Sequence, residues 1–233
     1  MDQNPSLSLF GHLDELRTRL IICLAAFFVA TCLAFYFSDP LLAFIIKPVG
    51  YLVFTAPSEA FLARMTLTFL GGFLFSFPII IYQIWQFVAV GLKDNERKYI
   101  VFFAPLSLIF FILGVLFGYF VMIPFALRFL LSFSTNNIVP MITVNNYISF
   151  IGTWVVSFGV VFELPLVLMF LAKIGIATPE FLRQYRRHAI IVILIVSAIL
   201  TPPDVVSQLL MAVPLVILYE IGILMVRYVK HSS

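Results

Sequence analysis

Six apolar stretches follow one another along the chain, roughly Leu20–Phe37, Met65–Val90, Ile100–Ile123, Tyr147–Leu171, Ala189–Leu200 and Val205–Val226. About 20 apolar residues cross the hydrocarbon core of a bilayer as an α-helix. The pattern predicts an all-α, polytopic membrane protein with six transmembrane helices in a single domain, residues 1–233. The last two helices are expected to be short. The fifth stretch offers about 18 Å of helix against a core of roughly 30 Å, and Glu220 interrupts the sixth. The tip between them, Thr201-Pro202-Pro203-Asp204, is therefore expected to lie within the outer leaflet. Prolines at 78, 105, 165 and 214 fall inside the stretches, where each removes a helix hydrogen bond and favours a kink. Kinked helices around a polar residue suggest a curved, concave wall. Ahead of the first stretch, residues 8–19 place Leu9, Leu13 and Leu16 at helical spacing, a register that Leu20 continues. That spacing predicts an amphipathic segment lying on the membrane surface before the chain turns into the bilayer.

Composition agrees with the pattern: the chain is 63% hydrophobic and only 11% charged, far from a soluble balance. Charge then sets orientation. Eleven of the fourteen Lys and Arg residues fall in the N-terminal segment, the second-to-third and fourth-to-fifth connections and the tail. Lys47, Arg64 and Arg128 alone fall on the other side. By the positive-inside rule both termini are expected to be cytoplasmic. The first residues carry Asp2, Asp14 and Glu15 rather than the basic start of a secretory signal, so no N-terminal cleavage is expected. Cys23 and Cys32 share the first stretch and read as small packing residues. No Cys/His spacing resembles a metal site.

Glu163 sits inside the fourth stretch, between Phe162 and Leu164-Pro165. An intramembrane carboxylate costs on the order of 3 kcal/mol or more and ordinarily faces a partner or a wet cavity; the plain alternative is a protonated Glu hydrogen-bonded inside a bundle. Enzyme readings fail for want of motifs: there is no phosphate-binding GxxxxGK[ST] loop, no HExxH, no GxSxG and no pair of spanning aspartates. Glu15 and Glu96 are two acids on a strongly basic face, able to engage a cationic partner that the rest of the surface repels. Each also has a local explanation. Glu15 and Arg19 are i, i+4 helix partners, and Glu96 complements the dipole at the start of the third helix. For Asp204 the plain reading is a helix cap.

Four segments together carry a family resemblance: His12-Leu-Asp-Glu15-Leu-Arg17; Tyr82-Gln-Ile-Trp85-Gln-Phe87 running to Asn95-Glu96-Arg97; Phe158-Gly-Val-Val-Phe-Glu163-Leu-Pro165; and Leu200-Thr-Pro-Pro-Asp204-Val-Val-Ser-Gln208. In this order, on six apolar stretches, they resemble the TatC family, the multispanning receptors of the twin-arginine protein translocase. Nearly the whole chain is covered, although the first outer loop matches by length and prolines rather than by sequence. The resemblance implies a receptor in the cell inner membrane that binds twin-arginine signal peptides at the cytoplasmic face. It implies assembly with TatA-like and TatB-like single-span proteins to export folded passengers on the proton-motive force, without cofactor, metal or nucleic acid, and leaves room for a homo-oligomer within the complex. By the same resemblance Glu15 and Glu96 meet the signal arginines, with Arg17 and Phe87 at the same site. Glu163 becomes an intramembrane partner contact, and Asp204 and Gln208 mark the outer hairpin tip. The alternative class is an ion-coupled secondary transporter with Glu163 as proton carrier. It calls for inverted repeats and converging midplane ligands that the chain does not display. A third class, a purely structural scaffold, would leave Glu15 and Glu96 replaceable.

Overall fold

Helix α1 runs without a break from Leu9 to Tyr36. The protein is described by a computed structural model over residues 9–92, 97–135, 139–201 and 204–231. The expected turn between a surface segment and the first span is absent from α1. No Gly or Pro falls between His12 and Tyr36, so nothing in the local chain chemistry stops the helix. Next come α2 (Ser38–Ile46) and α3 (Pro57–Val90). Pro57 stands at the first position of α3, where its missing N–H costs nothing. Helix α4 (Ile100–Phe117) passes through a π-helical turn, Gly118–Met122, into α5 (Ile123–Leu131). The fourth apolar stretch is divided into α6 (Val144–Val161) and α7 (Leu164–Lys173), with the break at Phe162-Glu163. Pro165 near the start of α7 supplies no N–H to the preceding turn, which accounts for a break at that point. Then follow α8 (Pro179–Gln184), α9 (Arg186–Leu200) and α10 (Val205–His231).

Among the described residues, five stretches are long and apolar enough to cross a membrane: Gly11–Tyr36, Pro57–Val90, Ile100–Leu131, Val144–Lys173 and Val205–Tyr228. The fifth apolar stretch of the sequence forms α9, which has only 15 residues, short as expected. The sixth differs from expectation. Glu220 does not end it, and α10 extends over 27 residues. The reason is tertiary: the Glu220 carboxylate pairs with the Arg186 guanidinium at the start of α9, so the charge is answered within the fold. Rows of exposed apolar side chains, such as Leu209, Val213 and Ile217 on α10, form surfaces suited to lipid. This is a membrane protein.

The chain divides into two units. The first comprises residues up to Ile45 together with Arg64–Leu108. Within it α1 and α3 approach closely at Gly72, where a Cβ would come within 2.2 Å of Thr31 Oγ1 and 2.8 Å of its Cα. Small residues permit such backbone approach between membrane helices. The buried Trp85 donates its indole N–H to Ser107 Oγ (2.9 Å) and stacks obliquely on Phe103. Arg64 donates to Ser38 Oγ (3.0 Å), pairs with Asp39 (3.0 Å) and lies over the Phe35 ring, fixing α2 to α3.

The second unit comprises Ile46–Ala63 and the residues from Ile109 onward. Its core is α6, whose Tyr147, Ile148, Ile151, Trp154 and Phe158 are all buried. Gly114 of α4 and Gly118 of the π-helical turn lie four residues apart against Phe158; a Cβ on Gly114 would sit 2.3 Å from the Phe158 carbonyl oxygen. Glu59 ties the loop before α3 to the start of α6. Its carboxylate accepts from the Thr55 N–H (2.7 Å) and hydroxyl (2.9 Å) and from the Asn145 N–H (3.4 Å). A parallel bridge between Val53 and Thr143 runs alongside.

Candidate functional site

Residues one helical face apart on α1 meet residues one face apart on α3. His12 packs on Phe87 with ring centroids 4.9 Å apart. Seven residues along, Arg19 donates from Nη1 to Gln83 Oε1 at 2.8 Å. The spacings 12, 15 and 19 on α1, and 83 and 87 on α3, each describe one side of a helix. Glu15 lies between the two contacts on α1 and forms an ion pair with Arg19 through Arg19 Nη2. The carboxylate retains 34% of its side-chain exposure while Arg19 keeps 19%, so a soluble partner can reach the acid more readily than the base. Arg17 is exposed on the same helix. Arg97 returns to the end of α3, donating from Nε to the Ala89 carbonyl at 3.2 Å. The structure thus brings Glu15 and Phe87 to one α1–α3 face. Glu96 lies outside the described residues.

Two residues of this face escaped the sequence-based site: His12 and Gln83, each read only as part of a motif. The Glu15–Arg19 spacing announces the pair. The Arg19–Gln83 hydrogen bond joins residues 64 apart in sequence, and no local signal foretells it.

Glu163 and the hairpin residues belong to the second unit. Glu163 is half-buried and occupies the turn between α6 and α7, where its N–H bonds to the Val160 carbonyl (3.1 Å) and its carbonyl accepts from Val167 (2.9 Å). The carboxylate therefore projects from a break in the helix rather than from an unbroken span. Asp204 is the cap of α10: Oδ1 accepts from the Ser207 N–H at 2.7 Å and the carbonyl from Gln208 N–H at 3.2 Å. Gln208 reaches across to α9 and donates from Nε2 to the Leu194 carbonyl at 3.1 Å. Ser197 and Ser207 are fully buried on this hairpin. Among the described residues, no three His, Cys, Asp or Glu side chains are grouped so that they could hold a metal ion.

Comparison with known proteins bears on the whole chain. A profile of the family described as Sec-independent protein translocase protein (TatC) matches residues 11–214. The Sec-independent protein translocase protein TatC of Carboxydothermus hydrogenoformans is 42% identical over 238 residues, covering 100% of this chain and 98% of the relative. That of Campylobacter jejuni is 41% identical, covering 95% of this chain and 94% of the relative. A crystal structure of the twin-arginine translocase receptor TatC superposes with a TM-score of 0.86 at 37% identity, covering 94% of this chain and 99% of the other.

Proposed function

The chain belongs to the TatC family of Sec-independent protein translocase proteins, and from that premise we propose that it binds twin-arginine signal peptides at the cytoplasmic membrane face. The family is one of protein translocase components, not of catalytic enzymes. In this reading Glu15 receives a signal arginine, with Phe87 and Arg17 bordering the site. Glu96 joins the proposal on its sequence alone. The observation that carries it is the α1–α3 face, where a partly exposed carboxylate is held beside the end of α3 by two side-chain contacts. A guanidinium is permanently charged and presents a planar fork of donors matched to a carboxylate, which a lysine ammonium does not. The chain sits in the cell inner membrane with both termini cytoplasmic, as its basic residues direct. It assembles with TatA-like and TatB-like single-span proteins, and the proton-motive force drives export of the folded passenger. Glu163, set in a helix break, offers a polar contact to a partner's membrane helix. Asp204 and Gln208 mark a second contact at the outer hairpin.

The test is photo-cross-linking of a twin-arginine signal peptide to the purified protein in lipid, with a twin-lysine peptide as control. Cross-links should form with the arginine peptide, weaken with salt, and fall in Glu15→Ala and Glu96→Ala. Undiminished cross-linking in the double variant would overturn the assignment.

A further inference from the structure

The Glu15 carboxylate is already occupied by a guanidinium of the chain itself. Arg19 Nη2 holds Glu15 Oε1, and Arg19 Nη1 is held in turn by Gln83 Oε1 at 2.8 Å. The third donor, Arg19 Nε, is buried and has no hydrogen-bond partner. Arg19 therefore gives up hydration at one nitrogen without recovering it, a cost that opposes this docked arrangement. Along α1 itself, Asp14 and Glu15 stand against Arg17 and Arg19 within six consecutive residues. While Arg19 holds Oε1, the Glu15 carboxylate offers a cationic peptide no unanswered charge. It offers one once Arg19 lets go.

We propose that Arg19, docked on Glu15 and tethered by Gln83, is a built-in competitor that stands in for a signal arginine and must be displaced before a peptide binds. This inference rests on the reading of Glu15 as the receiver of a signal arginine. Intramolecular occupation lowers the apparent affinity of every ligand for that carboxylate by the fraction of time the carboxylate is vacant. The tax is the same for all ligands, so Arg19 sets the strength of binding and leaves the preference for arginine over lysine to the geometry of Glu15. The contact keeps the idle receptor's carboxylate neutralised against stray cations. Gln83 serves as a tether that accepts a hydrogen bond without neutralising the guanidinium. A carboxylate at that position would retain Arg19 far more firmly.

The experiment measures equilibrium binding of a labelled twin-arginine signal peptide, and of the same peptide with one arginine replaced by lysine, to the full chain in lipid nanodiscs. Arg19→Gln should tighten both peptides by a similar factor, roughly three- to tenfold, leaving their ratio unchanged. Gln83→Met, close in shape but without the acceptor, should tighten both by a smaller factor. Thermal unfolding of each variant checks that the fold is kept, and the two substitutions disturb packing differently, so a folding failure in one leaves the other as the test. Unchanged or weakened binding in the folded variants, with Glu15→Ala still abolishing binding, would overturn the competitor while sparing the site. Unchanged binding in Glu15→Ala would overturn the site reading itself, and the competitor with it.

Discussion

Two polar clusters answer their charges in opposite ways. At the α9–α10 hairpin, Asp204 Oδ1 and Gln208 Nε2 bond to main-chain groups, the Ser207 N–H and the Leu194 carbonyl. On the α1–α3 face, Glu15, Arg19 and Gln83 bond to one another's side chains. A side chain bonded to backbone closes a helix end, and its removal leaves an orphaned main-chain donor or acceptor. A side chain bonded to a side chain can exchange one partner for another of like chemistry while the fold stays put. The first arrangement holds structure. The second holds a site that can be taken over by a ligand.

The most forceful way to break this contrast is to move the helices that carry the exchangeable cluster. Gly72→Leu forces side-chain atoms into Thr31, whose Cα lies 2.8 Å from where a Cβ would sit. The expected cost is about 3 kcal/mol in unfolding of the purified protein in detergent, with loss of peptide binding as α1, which carries Glu15, parts from Phe87 on α3. Retained stability and binding would show that the close approach is not needed. Glu15→Ala should lower peptide affinity by about tenfold or more, since charge-assisted hydrogen bonds contribute roughly 1.5–3 kcal/mol. Its stability should fall by less than about 0.5 kcal/mol, the ordinary worth of an i, i+4 pair at the surface of a helix.

Asp204→Ala inverts that signature. Loss of the cap should cost about 1 kcal/mol of stability and leave signal-peptide affinity unchanged, as read from the same two measurements. If Asp204→Ala weakened peptide binding as much as Glu15→Ala, the contrast between the clusters would collapse. Glu163 sharpens it further. Set in a helix break, it should tolerate Glu163→Gln, which keeps a polar group, better than Glu163→Ala, with export of a folded reporter as the readout. Equal export by both would remove the polar contact proposed there. The smallest effect concerns depth. A spin label at the exposed Val205 should report burial in the outer leaflet relative to one at Ser134, and equal aqueous exposure would rule that placement out.

Apolar period and length foretold most of the helices, because long runs of apolar residues have few ways to satisfy their backbone in lipid. The short α9 and the Asp204 cap were equally legible, being local in sequence. So was the Glu15–Arg19 pair, whose partners lie one helical turn apart. Three features were not. The surface segment and first span are a single helix, since helix continuation depends on the absence of a breaker rather than on amphipathic spacing. Helix α10 passes through Glu220, because Arg186, 34 residues away, supplies the counter-charge. Arg19 is tethered by Gln83, a contact that exists only once α1 and α3 pack at Gly72. The sequence by itself determined the class of protein, the basic and acidic segments and the residues that carry chemistry, since these follow from composition and from spacings within a turn or two. Tertiary structure decided which charges are answered and by whom. Coulomb and hydrogen-bond energies depend on distances that local spacing does not set, and packing alone brings residues 34 or 64 positions apart into contact.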